Sequence, residues 1–400
     1  MYFSHVPLAP ADPIFLLSEK SAKDQRSSKI DLSMGLYYDE QGKLLPLKII
    51  QKVTEIYQAQ PTNHLYLGIA GHPQLINKIP EVTLGKAYMA KFAVASVQCI
   101  GGTGGLRVVG DYLKVYHNQA TVWLSTPTWV NHEGIFHAAG MSFAYYPYYD
   151  AKAQSVAFES MIQTIETQAK PKDVMLLHAC CHNPTGVDLT IEQWQILADL
   201  LAKKEILPVF DMAYQGFADG LMDDLKGIHT ILDRCQVALI CNSFSKNMGL
   251  YGERVGGLTV VSVDQQATLN VISQLKACMR ANYSNPPRHG ATLASLILND
   301  DLYFQEWQLE LEMMRQRIVQ ARISLKQGLD AEGLILGPGD NDFLVDQKGM
   351  FSLLNFSTEQ LTLLREQYGI YLVDGGRINL AGLQMKHVPV LCEAFKALGF

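Results

Sequence analysis

The strongest constraint on the fold is a rhythm in the chain. From Leu44 to about Asp300 a short apolar run, a loop and a helical pattern follow one another repeatedly, as in "TVWLSTPTWVNHEGIFHAAG", "VMLLHACCHNPTG" and "EILPVFDMAYQGF". A helix between two strands carries the chain back across the sheet, so the strands run the same way and both faces are covered. The expectation is an α/β domain with a mainly parallel sheet flanked by helices. The period then changes: between Asp301 and Gly333, Trp307, Leu311, Met314, Ile318, Ala321 and Leu325 recur at alternating spacings of four and three. That is the stripe of one long helix, at about residues 301–332. After "GPGD" come shorter elements, ending in "GRINLAG" and a last helical pattern. They read as a smaller α+β domain built from both termini. The expected division is 1–43 for an N-terminal arm and the first part of the small domain, 44–312 for the large domain, and 313–400 for the remainder. Pro7, Pro10 and Pro13 make the first residues extended rather than helical, an arm that needs a surface such as a partner subunit to lie on.

The 400 residues, 48% hydrophobic and 18% charged, suit an ordinary globular protein. A formal net charge of -6 gives no whole-chain attraction to nucleic acid or an anionic membrane, so an anionic ligand must be caught by a few positioned groups. The seven cysteines are odd in number and scattered, which does not resemble a secreted disulfide framework. The start lacks a signal-peptide pattern, and no apolar run approaches the roughly 20 residues of a membrane span. A reduced, cytoplasmic setting is therefore expected.

In open α/β sheets ligands bind beyond the carboxyl ends of the strands. Four apolar runs end in chemically capable residues: "VASVQCI" before "GGTGGLRVVGDYL", "VMLLHACC" before "HNPTG", "LPVF" before "DMAY" and "VALICN" before "SFSKN". Singly each has a plain alternative. The glycines suit an anion at a helix start or simple turn geometry. Asp211 suits a helix cap, and Asn183-Pro184 a structural turn. The Cys180-Cys181-His182 string is set aside as a metal site, because neighbours on a strand point to opposite faces and no second ligand pair stands at zinc spacing. Together, a lysine (Lys246), an aspartate (Asp211), an asparagine (Asn183), a tyrosine (Tyr214), an arginine (Arg254) and a glycine-serine anion cradle fit one cofactor, pyridoxal 5'-phosphate. Its aldehyde needs a lysine, its ring nitrogen a carboxylate, and its phosphate dipoles and a cation.

At this point the chain resembles the class I aminotransferases of fold type I, in the branch of aspartate and aromatic-amino-acid (tyrosine) enzymes. The resemblance runs in order through "DLSMGLYYDE", "LYLGIAG", "GGTGGLR", "TPTWVNH", "HACCHNPTG", "FDMAYQGFA", "NSFSKNMGLYGERVGG", "RANYSNPP", "KGMF" and "GRINLAG". It implies a seven-stranded, mainly parallel sheet in the large domain and a homodimer with shared active sites. It also implies that Lys246 holds the cofactor as an internal aldimine and later acts as the catalytic base, and that Asp211 pairs with the ring nitrogen. Asn183 and Tyr214 would bond the ring's phenolic oxygen, with Trp129 along the ring face. Gly102, Thr103, Ser243 and Arg254 would hold the phosphate, joined by Tyr66 of the neighbouring subunit. Arg377 would bind the substrate α-carboxylate, supported by Asn183 and the backbone near Gly35. Arg280, also across the dimer, would meet a distal carboxylate.

The implied reaction is ping-pong transamination between tyrosine, phenylalanine or aspartate and 2-oxoglutarate; the alternative is a narrower aspartate aminotransferase. The signals divide: "SMGLYYDE", Gly101 and "YGERVGGL" look like the aromatic-type enzymes, whereas Thr103, Ala281 and Asn285 look like the aspartate enzymes. Lyase or decarboxylase chemistry on the same cofactor is disfavoured by the paired arginines, and a non-catalytic role by the intact Lys246 and Asp211. His132, Phe351 and Ser245 have plain structural roles as alternatives to functional ones.

Overall fold

Seven apolar runs become one sheet: β1 (Ala93–Ile100), β2 (Thr121–Thr126), β3 (Ser142–Pro147), β4 (Val174–His178), β5 (Leu207–Met212), β6 (Ala238–Ser243) and β7 (Val255–Ser262). The structure is a computed structural model and describes residues 1–9, 11–59 and 64–400. The strand order is β1-β7-β6-β5-β4-β2-β3. Every pair is parallel except those of β7, which runs antiparallel to both β1 and β6. The mainly parallel, seven-stranded expectation holds.

Alternation along each strand feeds two cores. Val209 and Leu239 pack with Val97, Leu106, Leu124, Leu176 and Val260 on one face. Their neighbours Phe210 and Ile240 pack with Trp123, Met161, Trp194 and Leu197 on the other. A sheet buried on both faces has no room for the polar-out pattern of a one-sided sheet, which is why its strands read as continuous apolar runs. Each fully buried aliphatic or aromatic side chain contributes about 1.5–3 kcal/mol. Helix α1 (Gly101–Tyr116) follows β1 directly. Helix α2 (Ile191–Lys204) starts at a reciprocal capping box between Thr190 and Gln193. Helices α3 (Lys226–Cys235) and α4 (Gln265–Asn282) complete the coverage used below.

The chain divides into two units, Leu45–Val319 with Asp346–Gly349, and Met1–Leu44 with Gln320–Val345 and Met350–Phe400. The long helix, α5 (Asp301–Ala331), contributes to both. Its stripe from Trp307 to Leu325 is buried throughout. In the second unit Ile30–Asp31 pairs in parallel with Ile370–Tyr371, and Phe351–Leu353 pairs antiparallel with Arg377–Asn379. Ile30, Leu325, Leu329, Phe356, Ile378 and Phe395 form its core.

The N-terminal expectation needs a correction. Pro7 lies in non-helical chain, but Pro13 opens a helix, Pro13–Lys23, whose N-cap Asp12 accepts from the Ile14 and Phe15 amides. Proline suits the first helical position because the amide it lacks has no partner there. Pro10 lies outside the described residues. No described helix is long and apolar enough to cross a membrane.

Candidate active site

The carboxyl ends of β4, β5 and β6 lie side by side, and the register sets Asp211 between His178 and Cys241. Asp211 belongs to β5 itself and is 7% exposed. It caps no helix: His132 Nε2 meets its Oδ2 at 2.9 Å. His132 Nδ1 in turn lies 2.8 Å from Thr128 Oγ1, which stands 3.5 Å from His178 Nε2. The His178 and His182 rings are 4.3 Å apart, and Ser125 and Thr185 engage the two nitrogens of His182 at 3.0 and 2.8 Å. The Trp129 ring sets its edge on His132, 5.2 Å between centroids.

Burial alone would raise the Asp211 carboxyl. The His132 hydrogen bond and the neighbouring His132, His178 and Lys246 charges outweigh it and hold the pKa below the ordinary value. His178 moves the other way, down to about 3, first because burial penalises its cation and second because His132 is nearby. His182 is lowered well below its ordinary value, first by burial and then by the neighbouring His178 and His132. The result is an ionised Asp211 with His178 and His182 held neutral nearby, all three largely withdrawn from water.

Lys246 follows β6 and stands with its Nζ 5.2 Å from the Tyr214 ring centroid. Asn183 Nδ2 donates to the Tyr214 hydroxyl at 3.4 Å, and the Asn183-Pro184 peptide is cis. The Ser243 hydroxyl donates to Ser245 Oγ at 2.8 Å, and Arg254 Nη1 approaches the same oxygen at 3.4 Å. Gly101 opens α1 at φ +71°, and a Cβ there would stand 2.7 Å from Arg254 Nη2. Only glycine combines that backbone conformation with that approach. A Cβ on Gly102 would lie 3.6 Å from Ser243 Cβ and 3.8 Å from Asp211 Oδ1, so the first turn of α1, with Thr103 next in line, faces the aspartate and the serines.

Lys246, Asp211, Asn183, Tyr214, Trp129, Gly102, Ser243 and Arg254 thus form one connected cluster in the large unit. The remaining predicted residues are Tyr66, Arg280, Gly35 and Arg377. Tyr66 is 88% exposed, and Arg280, in the last turn of α4, is exposed and bonded to the Ser284 hydroxyl. Gly35 and Arg377 belong to the second unit. There Arg377 Nη2 donates to the Ser33 carbonyl at 2.6 Å, its Cζ lies 4.3 Å from the Phe351 ring centroid, and a Cβ on Gly35 would touch that ring at 3.0 Å.

This combination has known counterparts. The family described as aminotransferase class I and II matches residues 27–395. The chain belongs to that family. It is 41% identical over 398 residues to an aspartate aminotransferase of Escherichia coli, covering 99% of this chain and 100% of that one. It is 40% identical over 399 residues to an aromatic-amino-acid aminotransferase of the same organism, at 99% and 100% coverage. Among solved structures, an aromatic-amino-acid aminotransferase from Burkholderia pseudomallei, covalently bound to pyridoxal phosphate, superposes with a TM-score of 0.94 at 36% identity, covering 100% of this chain and 99% of that one. This chain is an aminotransferase.

Thr128 and His178, not among the site residues the sequence singles out, extend the contact of His132 with Asp211 into a chain of hydrogen bonds, and the His182 ring packs on His178. His132 lies in the short helix Asn131–Ala138 that follows β2, and it meets Asp211 only through the folding of distant segments together. The argument against Cys180 and Cys181 also needs correction. β4 ends at His178 and Cys181 has φ +53°, so strand alternation does not govern them. Their sulfurs and a carboxylate oxygen of Asp224 lie within 4.8 Å of one another.

Proposed function

We propose that this aminotransferase uses pyridoxal 5'-phosphate to move the amino group between aromatic or dicarboxylic L-amino acids and 2-oxoglutarate. The observation that carries the reading is the placement of Lys246, Asp211 and the Ser243–Arg254 cradle in one cluster at the carboxyl edge of the sheet. The cradle fits a phosphate: hydroxyls, a guanidinium and a helix start converge where Gly101 and Gly102 leave room. When bound, the cofactor's cationic ring supplies the electron sink for the substrate's Cα. Asp211 keeps the ring nitrogen protonated, which its lowered pKa and buried His132 contact allow across the neutral range. Tyr214 and Asn183 would hold the ring's phenolic oxygen, and Trp129 would pack against the ring. Lys246 Nζ takes the proton from the substrate Cα as general base. Arg377, with a planar fork, receives the α-carboxylate.

We also propose a homodimer in which Tyr66 reaches the partner's phosphate and Arg280 the partner's distal carboxylate. An aromatic ring left 88% exposed and an exposed arginine at a helix end support that reading. Seven free cysteines accord with a reducing cytoplasm. The aspartate relative is as similar as the aromatic one, so a narrower aspartate aminotransferase is the second reading.

Purified protein with pyridoxal phosphate, 2-oxoglutarate and tyrosine or aspartate should form glutamate in both mixtures. Glutamate from aspartate alone selects the second reading, and none from either ends both. For the dimer, Lys246→Ala and Arg280→Leu chains, each poor with aspartate, should regain aspartate activity when co-refolded, because one hybrid site is complete. Unchanged activity of the mixture contradicts shared sites.

A further inference from the structure

The loop after β4 carries a second constellation that the transamination chemistry does not use. Cys180, Cys181 and Asp224 are all buried, and their ligand atoms lie within 4.8 Å of one another. A cavity of about 230 Å³ opens on Cys180, Asp188, Asp219 and Asp224, giving solvent a path to the cluster. Asp188 accepts from the Cys181 and His182 amides at 2.7 and 2.9 Å, and Asp224 from the amides of Gly216, Ala218, Asp219 and Gly220 at 2.7 to 3.2 Å. Neither carboxylate forms a salt bridge with any described residue. Cations stand near the cavity but pair with other carboxylates, Lys226 with Asp223 at 2.9 Å, Lys348 with Asp219 at 3.0 Å and Arg315 with Glu312 at 2.6 Å. Two buried sulfurs and a buried carboxylate oxygen thus gather at one point, with no cation bonded to that carboxylate among the described residues.

We propose that Cys180, Cys181 and Asp224 form a binding site for a soft divalent cation of the zinc or cadmium kind. Two sulfur–metal bonds form as the two thiol protons pass to solvent, so a divalent ion enters without changing the net charge of the cluster. A monovalent ion would leave an added negative charge beside Asp188 and Asp224. The Asp224 carboxylate oxygen is the third ligand, giving up one backbone donor to the ion, and water in the cavity fills the fourth position.

The same loop links this site to the first. Cys181 Sγ donates to the Tyr214 carbonyl at 3.8 Å, and Asn183 follows two residues later. An ion that claims the Cys181 sulfur withdraws that contact and shifts the two residues assigned to the cofactor's phenolic oxygen, so occupancy inhibits. The inhibition rests on the proposed function; the binding does not.

The test is cadmium titration of the reduced holoenzyme, followed by dialysis stoichiometry and the ultraviolet thiolate-to-cadmium band. One ion per chain with a two-thiolate band is expected, and Cys180→Ser or Cys181→Ser should each weaken binding by about 10–100-fold or more. Melting temperatures equal to that of the parent confirm that the variants fold, and Cys180→Ala gives a second removal that leaves no oxygen donor. No stoichiometric binding, or binding equal in the parent and all three variants, overturns the site. Cadmium should also suppress glutamate formation in the parent but not in Cys181→Ser. Binding with unaltered turnover overturns the link to Asn183 and Tyr214 while leaving the site standing.

Discussion

The two edges of the central sheet differ in chemistry. At the carboxyl edge His132, His182, Asn183, Asp211, Asn242 and Ser243 are buried together. At the amino edge, a cavity of about 440 Å³ is walled by Leu201, Leu207, Val237, Leu239, Val260 and Val271, with its charged groups few among aliphatic ones. Burying polar groups costs stability unless each finds a partner, and burying aliphatic ones returns about 25 cal/mol per Å². The amino edge is mostly aliphatic, while the carboxyl edge gives up stability to hold an ionised carboxylate, a lysine and the hydroxyls beside Arg254. The same strands supply both, so the division follows strand direction.

The largest effect that would sharpen this comparison is at Lys246. Replacing it with alanine should lower turnover by at least about 10³-fold while leaving the melting temperature near that of the parent, because the group serves chemistry rather than packing. A stability loss as large as the activity loss would erase the distinction. Next in size is Arg280→Leu. Aspartate turnover should fall by about 10²–10³-fold, as expected when one partner of a charge pair is removed, with tyrosine turnover largely retained. Equal losses would remove Arg280 from the distal carboxylate. At the other edge Leu239→Ala should cost about 2–4 kcal/mol in denaturant unfolding, with kcat/KM within about twofold of the parent. A collapse of activity in a folded Leu239→Ala protein would couple the edges.

The smallest effect is a pH dependence. The folded pKa of Asp211 lies below its unfolded value, so its ionised form stabilises the fold above the unfolded value of about 3.9, and the contribution fades as pH falls through the folded one. The stability difference between the parent and Asp211→Asn should be flat from pH 8 to 5 and narrow only as pH falls below the unfolded value of about 4. Narrowing near pH 6 would mean a raised carboxyl.

Much of the fold was legible because periodicity encodes it. The apolar runs mark the strands, and the Trp307–Leu325 stripe marks α5. The antiparallel course of β7 was not, since its run is buried on both faces like a parallel strand and no α-helix precedes it between Phe244 and Arg254. The helix at Pro13 was missed because proline signals both helix starts and extended chain, and Asp12 decides between them. At the site, Lys246, Asp211 and Asn183 stand where apolar runs end and could be picked by chemical type. The His132 contact with Asp211 and the Cys180–Asp224 cluster join residues far apart in sequence, which only folding brings together.

The central claim is that the carboxyl edge holds a pyridoxal phosphate on Lys246. Borohydride reduction of the cofactor-loaded protein, followed by peptide mass mapping, tests it directly. The account predicts one label per chain, on Lys246. A label on another lysine, or none with the visible absorbance of bound cofactor present, would contradict it.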